Sequence, residues 1–474
     1  MSAVDESVPD TGPKMDTSNV PSILQVGEIE TFTQMDVSSM VTDPIVNNQT
    51  SCRFVLQNQG YLHDGSRITL CLKGNASTTA GVVFPLQLGV HSLIRRATLR
   101  IGGNTVSEID DYNFFKAFQS MFLSSEINND RESVMSARAM NHDFQYKDTL
   151  GAQSNSLAED YDLSVGGQEY DGGGAMPPQW LNVNNEPVFS ITLGELFPFL
   201  TGQTLPLFAM KEEVIIDLLW EPVGGTGRAC VNSNASSGTV LDMDLTQTKL
   251  VADYISYDGA VMTQRLNQIN TTGATFNYND YRLTKTSLSV ADAKNSVRNL
   301  GGAGRIIPRI MTGINDDNRT DRFMLNKYSA IAPDRDYSSG TKSNGTLTTN
   351  IRMNDFFVFP IDLSNSAVLF DKTVRAFGSF PFVTREEYSG EGNVLSSRTF
   401  NGVAQNGSTG LLGNFFYQCY KLPAGRVNAR GLELTTQCTS LPTLATGKTY
   451  TQRTYIEVKK VAQLKNGFMT IGFQ

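Results

Sequence analysis

The sequence predicts an all-β chain: two tandem eight-stranded antiparallel sandwiches, with a few short helices in their loops. Three observations carry this. The 474 residues exceed one ordinary domain, which runs to roughly 100–200 residues. Period-two alternation of apolar and polar residues recurs along the chain, whereas helical periodicity is scarce. Gly, at 41 residues, joins abundant Asn, Ser and Thr in punctuating these runs with turn signals. An eight-stranded sandwich with long loops occupies about 200 residues, so two fill the chain.

The division read from the pattern is an extended arm over 1–27, a first sandwich over 28–258, a connector over 259–272 and a second sandwich over 273–474. The arm is polar and broken by Pro9, Pro13 and Pro21. Through residue 30 it carries Asp5, Glu6, Asp10, Asp16, Glu28 and Glu30 against Lys14, which is -5 of the total -8. An acidic arm of this kind is not a tail for nucleic acid; it suits a protein partner.

In the first sandwich, Ile68, Leu70 and Leu72 share one face of a strand. Ala97, Leu99 and Ile101 point inward from the next, and Arg96, Thr98 and Arg100 face outward or into a subunit contact. Gly102-Gly103-Asn104 makes a turn before a strand over 105–109. A helix follows over 111–124, capped by Asp110 or Asp111. Phe115, Phe118 and Phe122 form one stripe and Phe114, Phe118 and Met121 an adjoining one, which reads as core packing that closes the end of a sandwich. Residues 125–185, with Gly172-Gly173-Gly174 and Pro177-Pro178, read as an elaborated surface loop. Strands resume over 189–193, 205–220 and 249–257, and 214–220 reads as buried. The second series comprises 281–290, 305–314, 322–330, 346–359, 374–382 and 454–473, with loops at 333–347 and 388–414. Its last run turns at Lys465-Asn466-Gly467, the strongest local hairpin signal.

Composition bounds the function. Hydrophobic residues at 40% and aromatics at 9% exclude a disordered chain. A net charge of -8 argues against a bulk nucleic-acid binder. The N-terminus lacks the basic start and apolar region of a signal peptide, and no run reaches the 18 or so apolar residues of a membrane span. Cys52, Cys71, Cys230, Cys419 and Cys438 are scattered without a CxxC pair and read as buried reduced thiols. The sequons at Asn48, Asn344 and Asn406 mark surface loops.

The chain also lacks a catalytic signature. His63, His91 and His142 have no metal-ligand spacing, and His91 reads as structural. No nucleophile elbow or P-loop occurs, and Gly301-Gly302-Ala303-Gly304 lacks the Lys, the Ser/Thr and the helix of a phosphate cradle. Glu212-Glu213, Asp316-Asp317 and Glu386-Glu387 read as solvated surface charge, because neighbours on a strand point to opposite faces. Arg95-Arg96 and Lys459-Lys460 are too isolated for a nucleic-acid groove. With only Trp180 and Trp220, the latter on a buried strand, a sugar-stacking platform has little support. The rival function remains a β-sandwich carbohydrate-binding protein or glycoside hydrolase; a secreted adhesin is weaker for want of a signal.

Three segments are more specific. Phe84-Pro85-Leu86 followed by the run from His91 through Leu93-Ile94-Arg95-Arg96-Ala97-Thr98-Leu99-Arg100-Ile101-Gly102-Gly103 resembles a strand of double jelly-roll major capsid proteins of double-stranded DNA viruses. Leu205-Pro206-Leu207-Phe208-Ala209-Met210 with Glu213 to Leu218 resembles the same family's strand pair. The run Lys249 to Asp258 resembles its closing strand. The match spans roughly 84–258, and the family's charged connector run is replaced here by 259–266. The resemblance implies that both sandwiches are jelly rolls and that the chain is a structural capsid subunit, not an enzyme. It is similar to the proteins of virophages, polinton-like viruses and large eukaryotic DNA viruses. It implies a homotrimer forming a pseudo-hexameric capsomer. Its partners would be neighbouring capsomers, penton and minor capsid proteins, and in some relatives an internal membrane. No catalytic, cofactor or metal residues and no sequence-specific nucleic-acid contact are implied. The location would be the virion, after synthesis in host cytoplasm or assembly in a viral factory.

Overall fold

The computed structural model describes residues 36–71, 73–74, 82–83, 88–119, 133–136, 162–164, 167–168, 188–221, 231–232, 243–244, 248–289, 291–292, 295–297, 300, 305–317, 348–354, 356–359, 363, 366–377, 399–400, 403–404, 418–422, 427–428, 434–441, 447 and 449–473. The arm 1–27, Met121, Phe122, His142, Trp180, the motif 301–304, the strand expected over 322–330, the loop 333–347, and Glu386 and Glu387 lie outside them.

The first half contributes β1 (Asp36–Thr42), β2 (Ser51–Leu56), β3 (Arg67–Cys71), β4 (Ile94–Ile101) and β5 (Asn104–Asp110), then α1 (Tyr112–Gln119). β6 (Val188–Thr192), β7 (Val214–Trp220) and β8 (Thr248–Ser256) follow. They form two antiparallel sheets. One runs β6–β3–β8 and continues through Tyr61–Leu62 and Leu205–Pro206, with β1 also paired to β8. The other runs Val46–Asn47, β2, β7, β4, β5. Period-two alternation explains both. Ile68, Leu70, Leu250 and Ala252 from the first sheet, and Phe54, Leu99, Ile216 and Leu218 from the second, join one apolar core. Each Ile, Leu or Phe side chain contributes about 1.5–3 kcal/mol on full burial.

Details depart from the pattern. β7 is not buried throughout: Ile215, Asp217 and Leu219 are only half-buried between buried neighbours. Thr98 is buried, although Arg96 and Arg100 on its side of β4 remain partly exposed. In the polar stretch 125–185, the described residues include a short helix, Ser133–Ser136, and two short strands, Asp162–Ser164 and Gly167–Gln168.

The stretch between the halves is a helix, α2 (Gly259–Thr272). Asp258 starts it by accepting a bond from the Ala260 N–H, and Gly273 ends it at φ 82°, a value that favours glycine. A polar surface with Ile269 alone buried hid this helix from apolar periodicity.

The second half holds β9 (Ala274–Leu288), β10 (Arg309–Asp316), β11 (Thr348–Met353), α3 (Ser366–Phe377), β12 (Gln418–Lys421), β13 (Leu434–Ser440), β14 (Tyr450–Lys465) and β15 (Phe468–Phe473). One sheet runs β9–β14–β10–β12 with β15 added to β14; the other joins Asn295–Val297, β13, β11 and Phe356–Phe357. The strand expected over 374–382 is wrong in its described part, because 374–377 complete α3. Leu369, Thr373 and Ala376 are buried at helical spacing, and Thr373 accepts the Cys419 N–H at 3.1 Å. The β14–β15 hairpin turns where expected, with Asn466 at φ 56° and Gly467 at φ 89°. A Cβ at Gly467 would sit 2.6 Å from the Lys211 Cγ. Gly467→Ala should therefore cost about 1–2 kcal/mol in thermal unfolding from the left-handed backbone alone.

Candidate functional site

An array of polar and aromatic groups lies where the halves meet. The register β9↔β14 pairs all fifteen residues of β9. Both faces of β14 are covered, because every residue from Tyr450 to Val458 is buried. Gln452 and Thr454 face β10 and β13 through Thr312 and Thr436, inside their own sandwich. Arg453 and Tyr455 meet the first half.

Asp111 is the centre of that contact. It follows β5 with φ 46°, a conformation Asp tolerates better than most residues. Its carboxylate accepts from Arg453 Nε at 2.9 Å and from Lys285 Nζ at 3.2 Å. Its carbonyl accepts from Tyr455 Oη at 2.9 Å. Arg453 also reaches Asp317 at 2.8 Å and lies over the Phe114 ring at 3.6 Å. Asp111 stands at the N-cap of α1 as expected, its carbonyl accepting the Phe115 N–H at 3.2 Å, while its side chain is engaged in this cross-half ion pair. The aromatic stripe of α1 does not simply close its own sandwich: Phe115 packs on Tyr281 and Tyr455, with centroids 4.4 and 5.5 Å away.

A second polar cluster continues the seam. Tyr278 Oη donates to the Val106 carbonyl at 2.8 Å, Ser107 Oγ donates to Asp280 at 3.1 Å, and Lys460 pairs with Asp280. Phe199 stacks edge-on to Tyr278 at 4.9 Å. The hairpin closes the far end, where Asn104 donates to the Met469 carbonyl at 3.0 Å and Glu212 accepts the Met469 N–H at 2.8 Å. Glu212 and Asp317 are therefore structural acceptors and not solvated charge, and Lys460 is buried. Glu213 is exposed as expected.

Burial pushes the Asp111 carboxyl up, but Arg453 and Lys285 outweigh it and hold the group below the usual carboxylate range. A depressed folded value contributes stability above the unfolded pKa near 4, lost as pH falls through the folded value. An acid titration of stability below about pH 4 should thus be steeper in the wild type than in Asp111→Asn.

The remaining candidates carry no chemistry. His91 is buried with Nδ1 3.1 Å from Tyr112 Oη, and His63 Nδ1 accepts from the Gly65 N–H. Cys52, Cys419 and Cys438 are buried free thiols; burial, aided by Asp217, pushes Cys52 up to about 12. Among the described residues no group of three or more His, Cys, Asp or Glu could hold a metal. Trp220 is buried and offers no face to a sugar. No helix among the described residues is long and apolar enough to cross a membrane. Arg453, Asp111, Lys285, Asp280 and Lys460 had no local signal, since 111 and 453 are 342 positions apart.

Residues 30–258 match the family described as major capsid protein N-terminus. That match makes the first half of the chain a major capsid protein N-terminal domain. Solved structures extend the likeness of this capsid protein to both halves. The Sputnik virophage structure is 14% identical, with a TM-score of 0.55, over 100% of this chain and 93% of that one. The mavirus major capsid protein is 11% identical, with a TM-score of 0.53, over 100% and 96%. The PBCV-1 virus capsid is 14% identical, with a TM-score of 0.53, over 93% and 97%. The shared fold is the double jelly roll. A search of curated proteins finds no match. The capsid family implies a structural, non-enzymatic protein of the virion shell that assembles with other capsid subunits, and it does not favour the carbohydrate reading.

Proposed function

We propose that three copies of this capsid protein join into a pseudo-hexagonal capsomer of an icosahedral double-stranded DNA virus shell. The observation that carries the reading is the built seam, which fixes two sandwiches of similar kind into one body. Three such bodies around a threefold axis present six walls, and a ring of this kind uses heterologous contacts. The division 28–258, 259–272 and 273–474 suits it, with α2 spanning the junction. The arm 1–27 latches onto a neighbouring subunit or a minor capsid protein. Capsomers meet penton proteins at the vertices and an internal membrane where the virus has one, after synthesis in host cytoplasm or assembly in a viral factory. Mass measurement and negative-stain microscopy of the purified full chain test this: trimers of hexagonal outline are expected, and a stable monomer overturns it.

A further inference from the structure

The outer face of the β2–β7–β4 sheet holds a depression of about 180 Å³. Arg53, Arg96 and Arg100 line it around Asp217, with Val46 and Leu219 among its apolar margin. Pairing register puts them there. Asp217 lies opposite Arg53 on one side and Thr98 on the other, and Arg96 and Arg100 flank Thr98 two residues either way. Arg53 Nε donates to one Asp217 oxygen, and Arg100 lies 3.6 Å from the other. Three guanidiniums face one carboxylate within the lining, and Arg96 makes no ion pair of 4 Å or less with a described residue. Arg53 and Arg100 are 41% and 42% exposed, so their forks remain open. Arg100 Nε itself lacks an acceptor among the described residues. Glu108 and Asp110 stand opposite Thr98 and Arg96 on β5, outside the lining. Arginine forks are matched in geometry to carboxylates.

One segment of this chain has the complementary chemistry. Residues 1–30 hold six carboxylates and one Lys, whereas the other 444 residues carry only -3 between them. Val4 and Val8 are interleaved with Asp5, Glu6 and Asp10, so apolar side chains accompany the carboxylates. We propose that the acidic N-terminal segment of a neighbouring copy docks in this arginine depression. Its carboxylates complete the open forks, and its valines cover Val46 and Leu219. This rests on the reading of the arm as a latch and names the surface it grips.

Charge reversal with rescue tests it in the full chain. Arg96→Glu with Arg100→Glu should lower the yield of closed shells about tenfold while capsomers persist, as should Asp10→Lys with Asp16→Lys. Combining the four changes should restore assembly, and wild-type assembly should weaken as salt rises. Normal assembly of the arginine variant, where deletion of 1–30 abolishes it, overturns this docking and leaves the latch standing. Normal assembly after the deletion removes the latch as well. If charge reversal prevents capsomer formation, Arg96→Lys supplies an amine for carbodiimide cross-linking in shells assembled from ¹⁴N and ¹⁵N chains. Links from the amine of the Arg96→Lys variant to carboxylates of 1–30 in mixed isotope pairs are expected. No links, or links within one copy alone, overturn the proposal.

Discussion

Arg453→Met should lower stability by about 3–5 kcal/mol, because it takes a buried guanidinium away from two carboxylates in a covered seam. The Arg453 side chain is only 8% exposed and bonds Asp111 and Asp317 from the two sides of the seam. Removing the guanidinium leaves Asp111 with Lys285 alone and removes the cation over Phe114. At roughly 2–4 °C per kcal/mol for a domain of about 200 residues, Tm should fall by roughly 6–20 °C. Adding Asp111→Asn should recover part of the loss, since one of the two carboxylate charges is then gone. A single variant that melts within about 2 °C of the wild type would show that the seam does not depend on this pair.

Phe118→Asp should abolish soluble capsomers. Phe118 lies 1% exposed in the main apolar core, beside the α1 residues that pack on the second half. A carboxylate there replaces apolar burial with an unpaired charge, at a cost of several kcal/mol. Phe118→Leu keeps an apolar side chain and should stay soluble, at a cost of about 1–2 kcal/mol. Soluble yield and size-exclusion profiles of the two variants make the comparison; normal assembly of the Asp variant would refute the core assignment of α1.

Much of the fold is local and was readable. β3, β4, β7 and the β14–β15 hairpin follow from alternation and from the turn chemistry of Asn466-Gly467, because these depend on neighbours two residues apart. The errors share one cause. Residues 374–377 look strand-like in isolation, but Leu369, Thr373 and Ala376 place an apolar helical stripe against β12. α2 was missed because a polar helix with one buried Ile has almost no apolar period to detect. Glu212 and Asp317 read as surface charge because charged side chains are usually exposed. Here each is held by a partner far along the chain.

The sequence by itself determined the all-β class, the two strand series, the aromatic stripe of α1, the acid-rich arm and the resemblance to capsid proteins over 84–258. All of these are written in composition, in short-range periodicity or in contiguous motifs. Only the tertiary structure decided what the stripe and the charges are for. It made the carboxylate of Asp111, the N-cap residue of α1, the anchor of Arg453, and it buried both faces of β14 by setting the second sandwich against the first. The reason is physical: a side chain's burial and partner depend on which sheet face its strand presents and on what packs there. That is set by pairings across hundreds of residues, which no local pattern records.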